Sequence, residues 1–199
     1  LEKISGKDLN WLFNQWYFGS GNPVIDVVKK YNVATKKLTV KIVQTQDEKI
    51  LFQFPLEIDV YENGKRVRHK VWVDARKENS FTFPVATTPE LVNINPRGVI
   101  IATENNNKSW KEYLYQLQHA TDYKSRIEAV EATTATEGKE ILLTALKDPF
   151  FKVREKALQK LISYKLTPKE LQIVEKVAET DSANLVKAAA IWVLAATKD

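Results

Sequence analysis

Residues 55–73, PLEIDVYENGKRVRHKVWV, constrain the fold more than any other stretch, because their pairing can be written residue by residue. Asn63-Gly64 suits the two positive φ angles of a type I′ turn, so the segment reads as a β-hairpin. A two-residue turn sets Glu62 opposite Lys65, Val60 opposite Val67, Asp59 opposite Arg68 and Glu57 opposite Lys70. Three acid–base pairs thus form in one register, and a slip of one residue would invert every side chain. Each pair contributes only about 0.2–1 kcal/mol, so the charges select register while apolar burial supplies stability. One face carries Leu56, Ile58, Val60, Val67, Val71 and Val73 and is expected to be buried. The other carries Glu57, Asp59, Tyr61, Arg66, Arg68 and Lys70 and is expected to face water.

A half-buried sheet requires a second layer, and residues 24–104 supply one. The alternation predicts strands at Val24–Tyr31, Leu38–Val43, Ile50–Phe54 running into the hairpin, Ser80–Val85, Leu91–Ile94 and Val99–Thr103. Pro55 cannot donate to a ladder and marks a bulge, kink or edge. About seven strands with turns between them read as an antiparallel, immunoglobulin-like β-sandwich, although the Cys-Trp-Cys core of a true immunoglobulin domain is absent. Ahead of it, Ser5–Phe18 reads as an amphipathic helix capped by Ser5 and carrying Trp11, Leu12, Phe13, Trp16, Tyr17 and Phe18. Gly19, Gly21 and Pro23 end that helix.

Asn105-Asn106-Asn107-Lys108 reads as a linker, after which the period changes from two to helical. Six helices are expected over 105–199. The first spans Ser109–Leu117; Asp122, Thr136, Pro149, Thr167-Pro168 and Ser182 open the others. They hold a repeat: Asp148, Val153, Arg154, Ala157, Leu158 and Leu161 recur 33 residues later as Asp181, Val186, Lys187, Ala190, Ile191 and Leu194. Arg126, Ala129 and Val130 form a partial earlier copy. A basic, a small and a branched residue on each helix suit HEAT-like helical hairpins that stack on one another. The array is expected to end without a polar cap, leaving Ile191, Trp192 and Leu194 on an apolar face.

The residues offer little chemistry. With no Cys there is no disulfide, no Cys-ligated zinc and no thiol catalysis. No run of about 18 apolar residues reads as a membrane-spanning helix. The start lacks signal-peptide form and the chain lacks Met altogether, so it reads as a fragment or processed product. Cytoplasmic and periplasmic or exported locations both remain compatible. The net charge of +5 is spread evenly: residues 24–104 hold 13 basic and 10 acidic side chains, and residues 108–199 hold 15 and 13. Without a basic run, nucleic acid is not an expected partner. His69 is expected toward the apolar face between Val67 and Val71, and His119 at a helix C-terminus. Neither lies in a His-Glu-x-x-His motif, and no P-loop or Gly-x-Ser-x-Gly elbow occurs. Asp26, Glu57 and Asp59 could meet in space, but two of them have basic partners across the hairpin. No catalytic, cofactor-binding or metal-ligating residue is assigned.

Three segments together carry a resemblance. They are NWLFNQWYFGSGNP at Asn10–Pro23, FPLEIDVYENGKRVRHKVWVD at Phe54–Asp74 with FTFPV at Phe81–Val85 and LVNINP at Leu91–Pro96, and KSWKEYLYQLQHATDYKSRIEAV at Lys108–Val130. In this order the chain resembles the C-terminal portion of the aminopeptidase N-like zinc metallopeptidases (gluzincins), large bacterial type. That resemblance implies that residues 1–23 are the terminal helix of a missing catalytic domain plus a linker. Residues 24–104 would be the family's β-sandwich, and residues 105–199 a truncated helical repeat domain. The zinc motif and its downstream Glu, and the Gly-x-Met-Glu-Asn motif that grips the substrate amine, are absent here. The implied chain is inactive, binds no cofactor itself, and supports a catalytic domain that holds zinc and acts on peptides. The alternative is a stand-alone protein-interaction module with no peptidase parent.

Overall fold

The computed structural model describes residues 2–6, 8–46, 50–134 and 136–196. The chain divides into two compact units, Leu1–Asn107 and Lys108–Asp199.

The first unit is a two-sheet sandwich. Its strands are β1 (Val24–Asn32), β2 (Lys37–Gln44), β3 (Phe54–Glu62), β4 (Lys65–Val73), β5 (Glu78–Pro84), β6 (Leu91–Ile94) and β7 (Thr103–Asn106). One sheet has the order β5-β2-β1-β7, the other β4-β3-β6. Ile25, Val27, Leu38, Val40 and Ile42 from the first sheet and Phe54, Leu56, Ile58, Val60, Val73, Val92 and Ile94 from the second form one buried core. The β3–β4 register matches the expected one at every pair named above, including Glu57 with Lys70 and Asp59 with Arg68. Asn63 (φ 51°) and Gly64 (φ 71°) take the left-handed conformations that the turn requires.

The sandwich differs from the sequence reading in three places. First, β3 is the central strand of its sheet, so Glu57, Asp59 and Tyr61 are buried rather than wet (8%, 0% and 2% exposed). Val67, on the edge strand β4, is exposed where an inward position was expected. Second, residues 50–53 form no strand. Their backbone groups are taken by glutamine side chains, as the next subsection describes. Third, the final strand is Thr103–Asn106, four residues later than expected, so Asn105 and Asn106 belong to the sheet. It pairs with β1 in parallel, whereas the other pairings are antiparallel. Pro55 lies on β3 where β4 flanks it but β6, which pairs only with Ile58–Tyr61, does not reach.

The aromatic helix, expected over Ser5–Phe18, is shorter at both ends, and a separate helical turn precedes it. α1 (Glu2–Ser5) ends before Gly6, whose φ of 65° interrupts the helix, and α2 (Asn10–Trp16) follows. The side chain of Ser5, the expected cap, lies outside the described residues. Leu9 occupies the N-cap position of α2 without a side-chain hydrogen bond, and Asp8 Oδ1 accepts from the Asn10 amide at 2.8 Å.

The second unit is a helical array: α3 (Trp110–His119), α4 (Tyr123–Glu131), α5 (Lys139–Ala145), α6 (Phe151–Leu161), α7 (Pro168–Thr180) and α8 (Asn184–Ala196). α3 packs on α4, α5 on α6 and α7 on α8, while α4, α6 and α8 touch in succession. Ala129, Val130, Val153, Ala157, Leu158, Leu161, Val186 and Ala190, all repeat positions, are fully buried in one core. Thr167 caps α7 in a reciprocal box with Glu170, and Pro168 takes the first turn. Glu170 is held below the usual carboxylate range, chiefly by the Thr167 amide and then by Lys139. Ser109 and Glu112 form a second capping box, not anticipated from sequence, at α3. Asp122 holds the N-cap position of α4 without capping through its side chain. α5 starts at Gly138 rather than Thr136: Gly138 sits at φ 94°, and a Cβ there would come within 2.7 Å of Thr133. α8 starts at Asn184, after Ala183, whose amide is bound by Asp181 Oδ1 at 2.8 Å, rather than from a Ser182 cap.

Candidate functional site

The polar residues that could have carried chemistry are separated and already engaged. His69, opposite Ile58 on β4, stacks on Phe83 with ring centroids 4.0 Å apart. Burial pushes its imidazole below the ordinary histidine range, with Asp59 pulling weakly the other way. His119 ends α3 and stacks on Tyr115 at 4.1 Å. Asp26, on β1, accepts from Asn105 Nδ2 at 2.7 Å and does not join Glu57 and Asp59, which lie on β3 in the other sheet. Among the described residues no group of three or more His, Asp or Glu side chains is placed to hold a metal ion. The stacked imidazoles and guanidinium-bound carboxylates do not fit zinc.

The outer side of β4-β3-β6 is a network of ion pairs. Arg68 donates to Asp59 through Nε at 2.7 Å and Nη2 at 2.8 Å. Arg97 donates to Glu57 at 2.8 and 2.6 Å. Arg68 also approaches Glu57 at 3.6 Å, and Arg66 approaches Asp59 at 3.8 Å. The Arg97 guanidinium holds Glu57 below the usual carboxylate range against the opposing effect of burial. Forked Arg–carboxylate geometry is how two buried carboxylates are accommodated in a sheet. Arg97 was invisible from sequence, because forty residues of chain separate it from Glu57 and no local pattern links them.

Three glutamines fix the segment that enters β3. Gln44, fully buried, donates to the Phe52 carbonyl at 2.7 Å and accepts from the Phe52 amide at 2.9 Å. Gln15 on α2 does the same at Gln53, at 2.8 Å in both directions. Gln46 donates to the Ile50 carbonyl at 2.9 Å. Each primary amide reproduces the donor and acceptor of a peptide, so these residues satisfy backbone groups that a strand partner would otherwise take. Gln15 thereby fastens α2 to the sandwich. Trp11 packs edge-on to Trp72 at 4.9 Å and Trp16 lies 5.6 Å from Phe52. An open groove of about 530 Å³, with Trp11, Gln15, Gly19, Ile50 and Phe52 in its lining, runs beside them. Tyr17 and Phe18 meet edge to face and remain 75% and 74% exposed. No residue of α2 is fully buried, so the aromatic helix presents an apolar surface.

In the helical unit the basic repeat residues form a ladder. Arg126 on α4 reaches Asp148 at 2.7 and 3.3 Å, and Arg154 on α6 reaches Asp181 at 2.7 and 2.8 Å. Each Asp also accepts a backbone amide two residues on, from Phe150 and Ala183. The repeat was visible in sequence; that each Arg is tied to the next turn's Asp was not. Arg154 holds Asp181 below the usual aspartate range, opposed by burial. The folded state therefore binds fewer protons there than the unfolded chain. This stabilisation is present above the ordinary value of 3.8 and is lost as pH falls through the lower folded value. Arg154→Ala is expected to lower the urea midpoint of the helical signal at pH 7, with the gap to the unaltered chain narrowing below pH 3.8. A gap that does not change with pH would refute the pairing.

No helix among the described residues is long and apolar enough to cross a membrane. Comparison with known proteins follows the same division of the chain. Residues 107–195 match the family of HEAT repeats. No curated protein matches. Among solved structures, the chain is similar to the crystal structure of Legionella pneumophila aminopeptidase A in complex with aspartic acid, with a TM-score of 0.57 and 21% identity. The match covers 100% of this chain and 20% of that one, so the chain spans about a fifth of its length. In architecture, the chain is a two-sheet β-unit followed by a HEAT-like helical array, and it resembles a portion of an aminopeptidase.

Proposed function

We propose that this chain is a non-catalytic part of a zinc-dependent aminopeptidase that removes N-terminal residues from peptides. Residues 1–23 are the end of the catalytic domain and its linker, 24–104 the sandwich, and 105–199 part of the helical repeat domain. The sandwich and array support the catalytic domain and limit which peptides reach it. One observation carries the reading: the similarity to aminopeptidase A extends over all of this chain, across both of its units. The exposed aromatics that follow α2 support it, since Tyr17 and Phe18 offer the kind of apolar surface that another domain covers.

Two measurements test it. The isolated chain, with or without added Zn²⁺, is expected to show no hydrolysis of amino-acid p-nitroanilides; turnover above the buffer rate would end the claim of inactivity. The coding sequence immediately upstream is expected to encode His-Glu-x-x-His, and an upstream frame without it would remove the peptidase assignment.

A further inference from the structure

β4 is an edge strand, and the direction of its outward hydrogen-bonding groups follows from β3. The Glu57 and Tyr61 carbonyls accept from the Asn95 and Glu90 amides, on the β6 side. Backbone direction alternates along a strand, so Ile58 and Val60 turn theirs to β4, where His69 and Val67 meet them. Arg66, Arg68, Lys70 and Trp72 therefore aim their amides and carbonyls away from β3. The sheet order is β4-β3-β6, so no strand among the described residues lies on that side. The outward backbone groups of Lys70 and Trp72 have no hydrogen-bond partner among the described residues.

Charge and exposure say what pairs with this edge. β4 holds Lys65, Arg66, Arg68 and Lys70 and no acid. In the outer-face network Arg97 takes Glu57 and Arg68 takes Asp59. Lys70, opposite Glu57 in the ladder, is exposed and makes no salt bridge among the described residues. The network therefore keeps a positive excess along the edge. On the other face the core is open: Val67 is 53% exposed, whereas its ladder partner Val60 is 3% exposed. An apolar side chain on a neighbouring strand would cover Val67. Cations on an edge ordinarily deter pairing, and here they deter a second β4, because like charges would lie side by side. The same cations favour a strand of opposite charge.

We propose that the outward edge of β4, along Arg66–Lys70, takes an extended peptide as an added antiparallel strand, acidic at alternate positions and apolar between them. The acidic residues of the peptide lie beside Arg66, Arg68 and Lys70, and its apolar residues beside Val67 and His69. Main-chain hydrogen bonds hold such a peptide, and the alternation of its side chains selects it. The site lies wholly within the first unit and stands whether or not the chain belongs to a peptidase.

The test is fluorescence anisotropy of a dye-labelled peptide of about six residues, alternating Glu and Val, titrated with the whole chain. Binding with a Kd in the micromolar range is expected, and no binding would overturn the proposal. A peptide of the same composition with its Glu residues grouped together is expected to bind at least about tenfold more weakly; equal binding would reduce the effect to general charge attraction and overturn it. Methylating the backbone nitrogens of the Glu residues, which face β4 in an antiparallel strand, is expected to abolish binding, whereas methylating those of the Val residues is tolerated. Equal effects of the two methylations would rule out strand addition, and the reverse preference would rule out the antiparallel orientation. Lys70→Glu, at an exposed position, is expected to weaken binding by about tenfold or more. Lys30→Glu makes the same change of net charge on an exposed position of the other sheet and is expected to leave binding unaltered; equal losses from the two variants would remove the site from β4.

Discussion

Leu158→Ala is expected to destabilise the helical unit by about 3 kcal/mol, whereas Ile191→Ala, at the same place in the next repeat, should cost under about 0.5 kcal/mol. Leu158 is fully enclosed among the repeat residues of α4, α6 and α8, so truncation forfeits the transfer energy of the lost methyls and leaves a cavity. Ile191 is 58% exposed and leaves no cavity when truncated. Urea unfolding followed by far-ultraviolet circular dichroism checks both. Equal costs at the two sites would mean that α8 is covered in solution in a way this structure does not show.

Asp59→Ala should destabilise the sandwich by about 3 kcal/mol, a large effect for one residue on the nominally polar side of a hairpin. Asp59 is completely enclosed, and its two oxygens accept from Arg68, whose side chain is only 22% exposed. Removing the carboxylate takes two charge-assisted hydrogen bonds from a mostly buried guanidinium, and the 3.6 Å approach to Glu57 that remains offsets only part of its desolvation cost. A double replacement, Asp59→Leu with Arg68→Leu, removes both charges together and is expected to cost less than Asp59→Ala alone. Tryptophan fluorescence is a suitable monitor, since Trp72 lies on the same strand, β4, as Arg68. If the double variant is the less stable of the two, the pair stabilises the sheet beyond merely being matched.

How much of this was legible in the sequence depended on how far apart the interacting residues lie. The β3–β4 register was readable because Asn63-Gly64 and two residues of loop fix it locally, and the acid–base pairs follow from the turn. The α7 start was readable because Thr167, Pro168 and Glu170 act within one turn of helix. Residues 50–53 were misread as a strand because their apolar character is genuine, while the Gln15 and Gln44 amides that replace a strand partner come from elsewhere in the chain. β7 was placed four residues early because Val99, Ile100 and Ile101 look more strand-like than Thr103–Asn106; pairing with β1, not composition, selects the latter. Motifs in the sequence assign no catalytic residue, but the engagement of His69 by Phe83 and of Glu57 by Arg97 needed the fold.

By itself, the sequence determined where period two gives way to helical period, which hairpin register is allowed and that the helices repeat every 33 residues, because each depends on neighbours along the chain. Only the tertiary structure decided that β3 would be enclosed on both faces, that Arg97 would neutralise Glu57, and that Leu158 and Ile191, equivalent in the repeat, would end in opposite environments. Burial belongs to whichever element closes over a side chain. A repeat makes its copies alike in residue type, but it does not give each copy the same neighbour.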